Sequence, residues 1–214
     1  TQSPRGWDRL VGELEILGHR AVAVELANSI YPSSQGFAAE IGTQVPKDFV
    51  KPIVVAHSGS GPLLSAVSSR LSASHQVWLA ALVPDGQQSL QEEISAGPET
   101  IFNPEWIGVD PTQDDALATY FLFHDVGFKT LQWARSTLRL FAPSALYSEL
   151  NPPHRDIPST YICGTLDRVL KPSWAIAAAQ IRLGAEIVEM SAGHCPHVSQ
   201  PRTLARILAN MKSG

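Results

Sequence analysis

A short apolar run, Val54-Val55-Ala56, stops at His57-Ser58-Gly59-Ser60-Gly61 and passes at once into a helical pattern. A strand that turns sharply into a helix holds one side chain at the tip of the turn, and the crowded, strained backbone there needs small neighbours. Ser58 is that tip. Ala56 and Ser60 stand where the G-x-S-x-G turn carries glycines, so the stretch reads as a relaxed Ala-x-Ser-x-Ser version of a nucleophile elbow. Taken alone, the motif fits equally a Gly/Ser-rich turn without chemistry.

The units around it alternate. Trp7, Leu10, Val11, Leu14 and Leu17 fall at helical spacing and Gly18 stands where a helix would stop. Residues 21–24 read as a short buried strand, residues 28–34 as a loop with Pro32, and residues 37–44 as a weak helix closed by Pro46. Residues 52–56 form the next strand, and Leu63, Leu64, Val67 and Leu71 mark the packed side of the helix behind Ser58. A third apolar strand over residues 77–83 ends at Pro84-Asp85-Gly86. The rhythm returns with strands at 160–163 and 186–190, a helix over 174–183 between Pro172 and Gly184, and a closing helix over 199–211 with Pro201 in its first turn. Continuous apolar strands alternating with helices predict an α/β fold with a mostly parallel sheet flanked by helices.

From residue 88 to 153 the composition changes to scattered Pro, Asp, Gln and aromatics, with helical stretches at 116–123 and 128–140. Such a segment between strand and helix units reads as a small helical cap, and caps of this kind cover a pocket. Residues 1–87 and 154–214 are then the N- and C-terminal parts of the core. At 214 residues the chain suits one core plus that insertion.

A net charge of -4 without a basic stripe gives no reason to expect nucleic acid or an anionic membrane as partner. No apolar run is long enough to cross a bilayer, and no leader pattern opens the chain. Cys163 and Cys195 have no metal-type spacing, and two thiols make no disulfide framework, so a reducing cytoplasm suits them. The expectation is a cytoplasmic protein with a small-molecule substrate and neither metal nor cofactor; a homodimer is left open.

Sites of parallel sheets lie beyond the carboxyl ends of the strands. Ser58, Asp167 and His194 each follow a strand, in that chain order. A serine hydroxyl becomes a useful nucleophile when a base takes its proton, histidine titrates near operating pH, and a carboxylate on the far ring nitrogen fixes the tautomer. Asp85, at the end of the strand after Ser58, is an alternative acid, and His197 is a rival base. His57 packs beside the nucleophile. In the cap, Asp125 is expected to cap the helix that starts at Phe128, and His124 to touch substrate.

Residues 54–61, the run Ile162-Cys163-Gly164-Thr165-Leu166-Asp167-Arg168, and Gly193-His194-Cys195-Pro196-His197-Val198-Ser199-Gln200-Pro201 together resemble the α/β-hydrolase superfamily. Within it, the chain is similar to the branch of small esterases related to hydroxynitrile lyases and plant methyl esterases. Trp7-Asp8, Leu14 and Gly18-His19 match the first family helix, so the resemblance covers nearly the whole chain.

The resemblance implies an α/β-hydrolase fold in which Ser58 is the nucleophile, His194 the general base and Asp167 its orienting acid. The backbone N–H of Gly59 is then an oxyanion donor. The implied function is a serine hydrolase of the carboxylesterase type, with an acyl-enzyme on Ser58 and a small or medium apolar ester, thioester or lactone as substrate. His57, Trp106, Phe123, His124, Trp133 and Phe141 are the candidates to border that substrate. The alternatives are a lyase using the same triad as acid and base, with Lys129 and Lys171 nearest to the lysine it would need, and a non-catalytic accessory protein.

One departure stands out. The family has a central strand before the first helix, whereas Thr1-Gln2-Ser3-Pro4-Arg5-Gly6 corresponds to the loop after it. The first central strand is therefore missing from the chain as it stands. A strand supplied from upstream or by another chain is expected between residues 21–24 and 52–56, because an apolar parallel strand makes a poor exposed edge.

Overall fold

In the computed structural model, which describes residues 2–26, 31–141 and 143–211, the apolar runs become a parallel four-stranded sheet. Its strands are β1 (Ile53–His57), β2 (His75–Leu79), β3 (Ser159–Gly164) and β4 (Glu186–Met190), lying side by side in chain order. The register pairs Val55 with Val77, Leu79 with Ile162 and Ile162 with Val188. The helices are α1 (Asp8–Ile16), α2 (Ser34–Gln44), α3 (Leu64–Arg70), α4 (Leu90–Ala96), α5 (Pro98–Ile101), α6 (Asp115–Leu122), α7 (Phe128–Ser136), α8 (Ser144–Ser148), α9 (Pro172–Ala178), α10 (Pro196–Ser199) and α11 (Pro201–Ala209).

Because side chains alternate across a strand, each apolar run must be covered twice. Val55, Val77, Leu79, Ile162 and Val188 meet Leu10 of α1 and Leu204 and Leu208 of α11. Val54, Ala56, Trp78, Tyr161 and Cys163 point the other way, onto Leu64 of α3 and Ala175 and Ala178 of α9. Two helical layers therefore sandwich the sheet, which is the α/β architecture expected from the alternation of units. Among the described residues, no helix is long and apolar enough to cross a membrane.

Several boundaries differ from the expected ones for identifiable reasons. The strand over 77–83 ends at Leu79 because Ala80 takes a φ of 41°, after which Leu82 turns to donate its N–H to the Ser58 carbonyl at 3.0 Å. The closing helix is broken at Gln200, since Pro201 lacks an N–H and pushes the residue before it out of the helical region. The helix over 174–183 starts at Pro172 and ends in a π turn, Ala179–Leu183, that Gly184 closes in the left-handed region at φ 63°. The loop expected over 28–34 lies partly outside the described residues.

Residues 21–24 form no strand. An extended segment becomes a strand only beside a partner about 4.8 Å away, and these residues do not pair with β1. They border a groove of about 520 Å³ between themselves and β1, lined by Leu10, Val22, Val24, Val55, Leu63 and Val67 among others. Among the described residues, then, no strand lies between residues 21–24 and β1, and the groove occupies the place where a strand from upstream or from another chain is expected.

Helices α4 to α8 form the insertion between β2 and β3. Leu90, Ile101, Phe121, Leu122, Phe123 and Ala134 of this region share one core with Leu82, Val169, Leu170 and Cys195, which belong to loops at the strand ends, and with Val198 of α10. Arg182, in the π turn, forms an ion pair with Glu93 of α4 at 2.6 Å and ties the insertion to the sheet layer. The inserted helices are packed onto the loops that carry the polar site.

Candidate active site

The elbow is strained, and its sequence explains how it is held. Ser58 sits directly after β1 with a φ of 54°, a region that costs a residue with a side chain roughly 1–3 kcal/mol. Ser60 donates its hydroxyl to the His57 carbonyl at 2.7 Å and accepts from the His57 N–H at 3.1 Å, latching the turn from inside. Small residues are needed at 59 and 61 for definite reasons. A Cβ on Gly61 would lie 2.0 Å from the Leu82 carbonyl oxygen, and one on Gly59 would lie 2.3 Å from the Tyr147 hydroxyl. That hydroxyl, its pKa raised by burial, donates to the Gly59 carbonyl at 3.0 Å. The N–H of Gly59 belongs to the first turn of a short 3-10 helix, Ser58–Leu63, where helix geometry provides no acceptor.

Two loops bring the remaining groups to Ser58. His194, the fourth residue after β4, has Nε2 2.9 Å from Ser58 Oγ and Nδ1 2.8 Å from Asp167 Oδ2. The His194 and Asp167 side chains are only 1% and 4% exposed, so water competes little for these bonds. The other oxygen of Asp167 accepts backbone N–H groups from Val169 at 2.7 Å and Leu170 at 3.1 Å, which fixes the carboxylate's orientation. Nδ1 therefore donates to Asp167 and Nε2 is left to accept from Ser58. The loops also lean on each other: Leu166 N–H donates to Ala192 O at 3.0 Å, and a Cβ on Gly164 would lie 2.5 Å from the Gly193 carbonyl oxygen.

The alternative acid and base are occupied elsewhere. Asp85 spends its carboxylate on its own turn, accepting from the N–H groups of Gln87 at 2.7 Å and Gln88 at 3.1 Å and from the Gln88 side chain. His197 is buried, stacks on Trp7 at 4.4 Å between ring centroids, and donates from Nε2 to Gln2 Oε1 at 2.7 Å. Burial, followed by the neighbouring His194, pushes its pKa down to about 3, so it stays neutral. Lys129 is exposed on α7, and the Lys171 amine donates to the Glu99 carbonyl. Neither lysine joins the hydrogen-bonded line of Ser58, His194 and Asp167.

The residues expected around a substrate fall into four places. His57 lies behind His194, donating from Nε2 to the His194 carbonyl at 2.9 Å; burial, then His197 and His194, lower its pKa well below the ordinary value. Phe123 is enclosed in the core shared by the insertion and the loops, while Trp106, edge-on to Phe121 at 5.2 Å, and Trp133 are partly buried against it. Phe141 is partly buried in a separate cluster with Phe37 and Leu146. His124 donates from Nε2 to the Leu166 carbonyl at 3.0 Å. Asp125 does not cap α7, whose N-cap is Gly127; its Oδ2 instead accepts the Gly193 N–H at 2.7 Å.

Sequence reading missed Ser60 as a latch, Tyr147 against Gly59, and the contacts of Asp125. Only Ser60 carried a signal, since it is the polar residue in a position the motif assigns to glycine. Cys163 is pushed up to about 12 and Cys195 well up, each chiefly by burial, so neither thiol is a rival nucleophile. Among the described residues, no three His, Cys, Asp or Glu side chains gather as a metal site requires.

The family model described as the alpha/beta hydrolase family matches residues 1–207. No curated protein matches the chain in sequence. Among solved structures, polyneuridine aldehyde esterase is similar at a TM-score of 0.76 and 19% identity, over 97% of this chain and 93% of that one. A methylesterase from Arabidopsis gives 0.71 and 16%, over 96% and 92%. A pyrethroid hydrolase from Sphingobium faniae gives 0.73 and 16%, over 98% and 92%. At these identities the structural likeness speaks for the fold.

Proposed function

Because the chain belongs to the alpha/beta hydrolase family, we propose that it is a serine hydrolase of the carboxylesterase type, working through an acyl-enzyme on Ser58. The observation that carries the reading is the buried line Ser58 Oγ, His194 Nε2, His194 Nδ1, Asp167 Oδ2, with links of 2.9 and 2.8 Å. As Ser58 attacks a substrate carbonyl, its proton passes to Nε2, and Asp167 stabilises the imidazolium that forms. The Gly59 N–H supports the oxyanion. His194 then protonates the leaving alcohol or thiol and, in the second half, takes a proton from the water that releases the acyl group.

The substrate class is a small or medium apolar ester, thioester or lactone. Two of the structural neighbours are named as an esterase and a methylesterase, which supports a carboxylic ester. Trp106 and Trp133, partly buried at the edge of the inserted helices, are the side chains proposed to meet its apolar part. Phe123 and His57 contribute by backing the site. The reading includes a reaction in the cytoplasm and no bound cofactor.

The test combines a fluorophosphonate probe with p-nitrophenyl esters. Wild type should be labelled at Ser58 and turn over at least one ester, and Ser58→Ala should lose label and about a thousandfold or more of turnover, with an unchanged thermal midpoint. Labelling without turnover of any ester points to a lyase on the same triad. A wild type that takes no label refutes the serine hydrolase.

A further inference from the structure

The turn between α6 and α7 reaches out of the insertion and ends on both loops of the triad. It is closed by the Val126 N–H donating to the Phe123 carbonyl at 3.0 Å, and Phe123 anchors it in the shared core. His124 donates to the carbonyl of Leu166, the residue before Asp167. Asp125 accepts from the N–H of Gly193, the residue before His194. One dipeptide thus holds the acid loop with a donor and the base loop with an anionic acceptor.

Two further facts point to positioning. A Cβ on Gly193 would lie 2.8 Å from His124 Nε2 and 2.9 Å from Asp125 Oδ1, so the three groups meet at one spot and a side chain there would displace the ends of both residues of the turn. Asp125 Oδ1 is buried without a hydrogen-bond partner. A carboxylate with one oxygen desolvated and unpaired is an unfavourable choice for packing alone, whereas a bond from an N–H to an ionised acceptor is among the stronger kinds.

We propose that the His124-Asp125 turn is a positioning clamp that keeps Asp167 and His194 in register with Ser58. The proposal rests on the assignment of those three residues as the catalytic set. Neither His124 nor Asp125 touches the reacting atoms in it; each acts through the backbone beside a catalytic residue. Misplacing such a group by about 1 Å costs about a hundredfold in rate.

The full chain and its Asp125→Ala, Asp125→Asn, His124→Ala and His124→Gln variants are compared by fluorophosphonate labelling, kcat and KM on p-nitrophenyl acetate, and thermal midpoint. Asp125→Ala should lower kcat about a hundredfold while KM changes by no more than a few fold. Asp125→Asn, which keeps a carbonyl acceptor for Gly193, should restore most of kcat. If Asp125→Ala does not fold, the His124 pair provides the same contrast, because Gln keeps a donor for Leu166 and Ala does not.

Wild-type kcat in Asp125→Ala overturns the clamp, as does an Asn variant no better than Ala or a loss that appears in KM alone. A labelled wild type beside a fully active Asp125→Ala removes the clamp and leaves the serine hydrolase standing. A wild type that takes no label removes both.

Discussion

Replacing Asp167 by Asn changes one oxygen to an NH₂ group, and the surroundings decide which way the amide must face. One side of the carboxylate accepts two backbone N–H groups, from Val169 at 2.7 Å and Leu170 at 3.1 Å. Only an oxygen suits that side, because an NH₂ there would set donors against donors. The amide nitrogen is therefore turned towards His194 Nδ1, now 2.8 Å from Oδ2. A donor at that place makes Nδ1 the acceptor and moves the ring proton to Nε2, which faces Ser58 at 2.9 Å and can no longer accept its proton. Loss of the correct tautomer costs about ten-thousandfold in turnover, roughly 5.5 kcal/mol of transition-state stabilisation. The number of hydrogen bonds is conserved, so the thermal midpoint should move by only a few degrees. The assay is kcat on a p-nitrophenyl ester with a melt on the same preparations, and Asp85→Asn as control, since Asp85 accepts only within its own turn. If Asp167→Asn keeps more than a tenth of the turnover, or Asp85→Asn loses more than it, the reasoning is refuted.

Gly61→Ala should cost about 3 kcal/mol, read as a thermal midpoint lower by roughly 10 °C, because the new Cβ meets the backbone of Leu82 at 2.0 Å and Leu82 holds the Ser58 carbonyl; an unchanged midpoint would show that the elbow gives way easily. Stability should fall on acidification from pH 6.5 towards 3. His197 is neutral in the fold down to about 3 but titrates at its ordinary 6.5 when unfolded, so the unfolded chain binds more protons across that window. The contribution is complete above 6.5, and by about pH 4.5 this one group removes about 3 kcal/mol, with His57 acting in the same direction. Urea midpoints that stay level from pH 7 to 4.5 would contradict this.

The alternation of apolar runs with helical spacing was readable from the chain because period and turn chemistry are local properties. It placed β4 over its actual residues and put α1, α2, α6 and the start of α7 within a few positions. The same local logic set Ser58, Asp167 and His194 at strand ends, and parallel strands send their ends to one edge of a sheet. A segment's status as a strand is not local. Residues 21–24 have the right residues, but a ladder needs a neighbour, and among the described residues they face a groove. Nor is a polar side chain's partner legible from its position. Asp85 and Asp167 both follow strands, and only the course of each loop decided that one would serve its own turn while the other met His194. The tertiary structure alone brought Asp125 across 68 residues of chain to the Gly193 N–H and Tyr147 across 88 to the Gly59 carbonyl. A hydrogen bond requires about 3 Å and a direction, and no pattern along the chain encodes which loops the folded core will bring that close.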